Sequence, residues 1–165
     1  MQIVAAPDKF KGTASAQEIA EAIASAAESA GHSVDQVPMA DGGEGTLAAL
    51  GGPNRSSLVT GPLASPVEAQ WRYDSGTAVL EMAQSSGLVL AGGKEGNDPL
   101  AATTAGVGEL IAEAVDAGAT KIVIGVGGSA TTDGGLGAIE ALGSPTRVKG
   151  VEIVVACDVL SLIHI

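Results

Sequence analysis

The sequence predicts an α/β fold: a mostly parallel sheet with flanking helices, plus a small antiparallel hairpin. Three observations predict it. Short apolar runs alternate with stretches of helical periodicity at both ends of the chain, the pattern of strand–helix–strand units. Two strand-like runs, Val67–Tyr73 and Thr77–Met82, flank Asp74-Ser75-Gly76, which is a hairpin signature. The apolar run Lys121–Val126 empties into a glycine- and hydroxyl-rich turn and then a helical pattern, as strands do where α/β proteins hold ligands.

The elements follow in order. Gln2–Ala6 is a first strand broken by Pro7. Ser15-Ala-Gln-Glu18 is a capping box, because the hydroxyl and the carboxylate stand three residues apart. Ile19, Ala22, Ile23, Ala26, Ala27 and Ala30 continue at helical spacing as the predicted buried face, and Gly31 stops the helix. Ser33–Met39 reads as a second strand, Ala40–Gly45 as a glycine-rich turn, Leu47–Leu50 as a brief helix and 51–54 as a loop. Gly87–Pro99 is loop-rich apart from Leu88–Leu90. Thr103 and Thr104 cap a helix over Leu110, Ile111, Ala114 and Val115, closed by Gly118. Lys121–Val126 is a strand, Asp133–Leu142 a helix and Val151–Ala156 another buried strand. Trp71, Tyr73, Met82 and Cys157 read as packing residues.

Composition narrows the function. A chain of 165 residues fits one domain or two small ones. With aromatics at 2 %, packing must come from small residues and close backbone approach. Eight Lys and Arg against 19 Asp and Glu give a net charge of −11, which excludes partners that need a basic face, nucleic acid and anionic membrane alike. A single cysteine, Cys157, excludes an internal disulfide and a cysteine-rich zinc site. No secretory signal or bilayer-length apolar run is visible. The expectation is a cytoplasmic protein that handles a small molecule.

Three segments could do chemistry. Gly125–Gly137 reads Gly-Val-Gly-Gly-Ser-Ala-Thr-Thr-Asp-Gly-Gly-Leu-Gly. Glycines let the backbone approach an anion, and N–H groups at the next helix start point at it. Asp133 beside a phosphate requires a cation between them, which suggests a metal–phosphate site. The P-loop template fails, since no lysine lies between Lys121 and Lys149. The dinucleotide fingerprint is met at Gly125, Gly127 and Ala130, without the acidic ribose ligand expected about 20 residues on. A plainer reading makes Asp133 a helix N-cap and the glycines a tight turn.

Ala40-Asp-Gly-Gly-Glu-Gly-Thr46 sets two carboxylates among glycines just beyond a strand, which suits Mg²⁺ coordination or general-base work. The alternative is a turn in which Asp41 caps the short helix with Glu44 at N3. Pro7-Asp8-Lys9-Phe10-Lys11-Gly12-Thr13 brings two of the eight cations within three residues at the end of the first strand. Lysine there can neutralise charge on a transferring phosphoryl group, or be merely solvated. Asp158 ends the last strand, where open α/β sheets place ligand-contacting groups.

Together these segments resemble the glycerate kinase family whose members begin with Ala-Pro-Asp-x-Phe-Lys-Gly. The matching stretches are Ala6–Thr13, Ala40–Thr46, Thr60-Gly-Pro-Leu63, Leu80-Glu-Met-Ala83 with Ser86-Gly-Leu88, Gly106–Ile111, Gly125–Gly135 and Val155–Val159, in family order. The resemblance implies ATP-dependent phosphorylation of D-glycerate to 2- or 3-phosphoglycerate with Mg²⁺. It also implies two unlike α/β domains, one flavodoxin-like, with the active site between them. Residues 1–60 would form part of the first domain. Residues 61–159, with hairpin 67–82 and loop 125–137, would form the second domain or an insertion.

Carried over by resemblance, Asp8, Lys11, Asp41 and Asp133 are the catalytic candidates. Lys9, Lys11, Gly42, Gly43, Glu44, Gly127, Gly128 and Ser129 would hold substrate or phosphate, and Asp133, Asp41 and Asp158 would bind the metal. The resemblance leaves open which carboxylate is base and which is ligand, and says nothing of oligomeric state. Ala105 and Thr132 depart from the Tyr and Asn frequent in the family, and the connection between Leu142 and Val151 is short. Residues 160–165, Leu-Ser-Leu-Ile-His-Ile, read as an adapter-like, non-native tail, so the chain is expected to be an N-terminal portion inactive alone. Two rivals stand beside this reading: a dinucleotide-binding oxidoreductase and a non-catalytic nucleotide- or acid-binding module.

Overall fold

The computed structural model describes residues 1–10 and 12–158. Lys11 and the 160–165 tail lie outside the described residues. Two sheets organise the rest. The smaller pairs β1 (Gln2–Ala5) with β2 (Ser33–Gln36) in parallel, joined by helix α1 (Ala16–Ser29). The larger has the order β3 (Arg55–Thr60), β4 (Pro66–Asp74), β5 (Thr77–Glu81), β6 (Lys121–Gly125) and β7 (Glu152–Ala156). Its first three strands meander antiparallel, while β5, β6 and β7 run parallel. The α/β class, with parallel strands, helices and an antiparallel hairpin, is therefore what the sequence indicated, and the large sheet is mixed.

Several elements form for the reasons their residues suggest. Asp74 pairs with Thr77 across Ser75-Gly76, and both turn residues adopt positive φ (49° and 84°), the I′-type turn whose twist matches a tight hairpin. Ser15 Oγ accepts from the Glu18 N–H at 3.2 Å while Glu18 Oε2 accepts from the Ser15 N–H at 2.7 Å, completing the capping box of α1. Helix α5 (Ala105–Asp116) lays Val107, Leu110, Ile111 and Ala114 on the large sheet. They meet Val59, Ala69, Trp71, Leu80, Ile122 and Ile124 in the main core. The buried Trp71 ring donates Nε1–H to Ser57 Oγ at 2.9 Å, which satisfies its polar atom.

The structure corrects several expectations. Residues 55–60 form β3, in a stretch where the sequence marked no element. On α1 the buried residues are Ala20 and Ala24, while Ile23 is 38 % exposed. A two-stranded sheet is narrow and covers a thinner stripe of helix than the apolar pattern offers. Helix α6 spans Leu136–Leu142 and leaves Asp133 in the preceding turn. Thr104 is the N-cap of α5, yet its side chain makes no capping bond, and the Thr103 hydroxyl accepts from the Ala105 N–H instead. β7 is an edge strand with Val155 56 % exposed, not a buried one, because it pairs with β6 alone among the described residues. Cys157 is exposed rather than packed. The piece around Leu88–Leu90 lies between two single-turn helices, α3 (Ala83–Ser86) and α4 (Gly93–Gly96).

Helix α6 rests on α5 at a glycine. A Cβ on Gly108 would stand 2.2 Å from the Ala138 carbonyl oxygen. Helix propensity alone favours alanine by about 1 kcal/mol. Backbone overlap costs more, so Gly108→Ala is expected to lower stability by about 1–3 kcal/mol. A raised melting temperature would show that the two helices can separate freely.

Candidate active site

Four loops leave the C-terminal ends of β1, β2, β6 and β7 and line one open cleft of about 940 Å³. That end of parallel strands is where open α/β sheets place ligands. The β1 loop contributes Asp8, Lys9 and Phe10, and the β2 loop contributes Asp41, Gly43 and Glu44. Gly127 and Gly128 come from β6, Asp158 from β7.

The first two loops are zipped together by an extension of the β1–β2 ladder. Val37 N–H donates to the Ala5 oxygen at 2.8 Å, and Met39 N–H to the Pro7 oxygen at 2.9 Å. An ion pair then crosses between them. Lys9 Nζ lies 2.8 Å from Asp41 Oδ1, which also accepts from the Gly43 N–H at 2.8 Å. Asp8 Oδ1 stands 3.7 Å from the same ammonium. Asp41 Oδ2 has no partner among the described residues. The Lys9 bond and the Gly43 N–H hold the Asp41 carboxyl below the ordinary 3.8, against a burial cost that would raise it. Burial alone would lower Lys9, but the bond to Asp41 and the charges of Asp41 and Asp8 together outweigh it and hold the ammonium above 10.5.

Backbone contact joins the β2 loop to the β6 and β7 ends. The Gly127 N–H donates to the Gly42 oxygen at 2.9 Å, and the Val126 N–H to the Ala156 oxygen at 3.1 Å. A Cβ on Gly42 would stand 2.3 Å from the Ala156 oxygen, and one on Gly127 would stand 2.4 Å from Gly43 Cα. These glycines therefore serve loop–loop docking. Much of the donor capacity of 125–137 is also used within the fold: Ala130 donates to Ser86, Thr132 to Pro99, and Thr131 to Ser129 Oγ. The N–H groups of Gly128 and Ser129 keep no partner among the described residues.

Asp133 and Ser129 do not line the cleft. The Asp133 carboxylate accepts from the Thr104 N–H (2.8 Å), the Thr104 hydroxyl (2.8 Å), Gly135 N–H (2.9 Å) and Gly137 N–H (3.2 Å). It thereby ties the start of α5 to the start of α6. Burial works to raise its carboxyl, but those donors win and hold it below 3.8. The tight glycine turn of the plainer sequence reading is present, but the N-cap of α6 is Gly135, and Asp133 holds the Gly135 and Gly137 N–H groups from two residues before it. Lys11 lies outside the described residues, so the placement of that candidate is not stated.

Sequence reasoning assigned no site role to Glu81, whose buried carboxylate holds the Leu47 N–H just past the acidic loop. Its place in the Leu80–Ala83 stretch was the available signal.

The donor set suits a hard cation. Mg²⁺ takes one or two protein carboxylates and completes its shell with water and substrate phosphates. Asp41, with an uncommitted oxygen, and Asp8, Glu44 and Asp158 on the same walls fit that demand. Among the described residues no group of three His, Cys, Asp or Glu side chains forms a cage that would hold a metal by protein ligands alone. No helix among them is long and apolar enough to cross a membrane.

Residues 3–157 match the sequence profile of the Glycerate kinase family. Glycerate 2-kinase of Escherichia coli K12 is 48 % identical over 152 residues, covering 87 % of this chain and 40 % of the relative. Glycerate kinase of Bacillus subtilis 168 is 50 % identical over 151 residues, covering 87 % of this chain and 39 % of the relative. The crystal structure of putative glycerate kinase 2 from Salmonella typhimurium LT2 superposes with a TM-score of 0.76 at 44 % identity, over 87 % of this chain and 40 % of that one. The chain thus spans about 40 % of the length of the relatives it matches.

Proposed function

The chain belongs to the glycerate kinase family, and from that premise we propose that the full-length enzyme carrying it phosphorylates D-glycerate at the expense of ATP. The observation that supports this most directly is the convergence of Asp8, Lys9, Asp41, Glu44 and Asp158 on one cleft from the C-terminal ends of β1, β2 and β7. ATP would supply the phosphoryl group and Mg²⁺ would offset its charge. A cleft this acidic repels a carboxylate substrate and a polyphosphate unless cations intervene, so the lysines and the metal have the same electrostatic task.

In this reading Lys9 and Lys11 draw the anionic substrate groups in. Lys9 also orients Asp41, which leaves Oδ2 directed to a hydroxyl proton or a cation. The unpartnered N–H of Gly128, on the cleft wall, is the backbone donor left for a phosphate. Asp133 acts by holding α5 and α6 in place rather than as a ligand. The Escherichia coli relative, a glycerate 2-kinase by name, favours the 2-hydroxyl as acceptor. The 165-residue chain alone is expected to be inactive, since it corresponds to about 40 % of its relatives and leaves apolar side chains exposed, Phe10 in the cleft and Val155 on the β7 edge.

The oxidoreductase rival loses its main support. Gly125 and Gly127 pack against Gly42 and Gly43, and no helix opens until Leu136, so the fingerprint lacks the helix N-terminus that receives a pyrophosphate. The test is ADP release by the purified full-length enzyme, with phosphorus–proton coupling used to place the new ester. Release that needs both D-glycerate and Mg²⁺, with 2-phosphoglycerate as product, is the expected result. NAD(H) binding without ADP release would overturn the proposal, and Mg·ATP binding without turnover would favour the non-catalytic module.

A further inference from the structure

Glu81 ends β5, the middle strand of the large sheet, and is 3 % exposed. A buried carboxylate is costly unless donors or cations compensate it. No cation pairs with it among the described residues. Its Oε1 accepts from the Leu47 N–H at 2.5 Å, and its Oε2 from Gln84 Nε2 at 3.3 Å. Leu47 lies in the first turn of α2 (Thr46–Ala49), directly after the loop that carries Asp41, Gly43 and Glu44.

That loop is anchored at both ends. At its start, Gly42 is fastened to Gly127 by the backbone bond and by glycine contact. At its close, Thr46 Oγ1 donates to the Gly43 oxygen at 2.7 Å, and the neighbouring Leu47 N–H is held by Glu81. Glu81 also pairs in register with Gly125, whose missing side chain leaves room for the Gly42 carbonyl at the start of the loop. We propose that Glu81 is a positioning residue: its buried carboxylate fixes the close of the acidic loop on the large sheet and so sets where Asp41 and Glu44 stand in the cleft. A charged acceptor makes this bond roughly twice as strong as a neutral one, which suits a tether that must hold without a partner cation.

The catalytic part of this inference rests on the kinase reading; the tether does not. Two measurements on the full-length enzyme separate them. Hydrogen exchange by mass spectrometry reads the tether. In Glu81→Ala, peptides covering 43–50 should exchange at least about tenfold faster while those covering β5 and β6 keep their protection. Steady-state kinetics read the consequence. Misplacement of groups that act in the transition state should lower kcat about 10²-fold with KM within about threefold, and Glu81→Gln, which keeps an acceptor oxygen, should recover most of the loss.

Unchanged exchange at 43–50, or a raised KM with kcat intact, would overturn the proposal. So would a Gln variant no better than Ala. If Glu81→Ala does not fold, Glu81→Gln decides: faster exchange confined to 43–50 and a severalfold lower kcat support the tether, and wild-type values sink it. A wild-type enzyme without glycerate-dependent turnover would defeat the functional reading, and the exchange result would then decide the tether by itself.

Discussion

Asp133→Ala is expected to lower the stability of the protein by about 3–4 kcal/mol, because it removes a charged acceptor and strands the donors it served. Three of those donors are backbone N–H groups, of Thr104, Gly135 and Gly137, and the fourth is the Thr104 hydroxyl, which is 2 % exposed. Urea unfolding followed by Trp71 fluorescence measures the loss. The result should be the same with and without a chelator, since the bonds are internal. A variant of wild-type stability, or a loss seen only when Mg²⁺ is present, would return Asp133 to the role of metal ligand. The pH dependence has a definite sign. The folded carboxyl is held below 3.8, so its contribution is complete above the unfolded value and fades as pH falls through the folded one. Asp133→Asn should lose that part of the acid sensitivity and be closest to wild type at low pH.

Asp41→Asn is expected to lower kcat of the full-length enzyme by about 10²- to 10⁴-fold with little change in folding. Asparagine keeps an oxygen for the Gly43 N–H and for Lys9, so the loop should hold its shape. What disappears is the charge that takes a proton or binds a cation. Steady-state rates at saturating ATP and glycerate, beside a melting curve, check this. A kcat within about threefold of wild type would remove Asp41 from the chemistry. Because Asp41 is held below 3.8 and Lys9 above 10.5, the pair is intact at all pH values between those limits. It is lost as pH falls through the carboxyl or rises through the ammonium.

Local chemistry was readable where neighbours in sequence are neighbours in space. The turn at Ser75-Gly76 and the Ser15–Glu18 box needed no distant partner, and both are present. β3 was illegible because its pattern is inverted: Ser57 is buried under the Trp71 ring while Leu58 on the other face is 75 % exposed. β7 was read as buried from its apolar residues, but burial depends on what covers a strand, and Val155 faces outward. In the candidate site, the carboxylates and Lys9 that share the cleft could be singled out because charges at strand ends stand out in an α/β pattern. The use of Asp133 was not decidable, since its principal partner, Thr104, lies 29 residues away. The glycines of 125–128 were legible as a close approach, though the approaching group is another stretch of this chain.

The seam between Gly42-Gly43 and Gly125–Gly127 has main chain on both sides. Most packed contacts can absorb a change by turning a side chain, and this one has no side chain to turn. Any added atom must push one backbone away from another and drag Asp41 with it. The two loops are therefore bound to a shared history: drift in one is vetoed by the other.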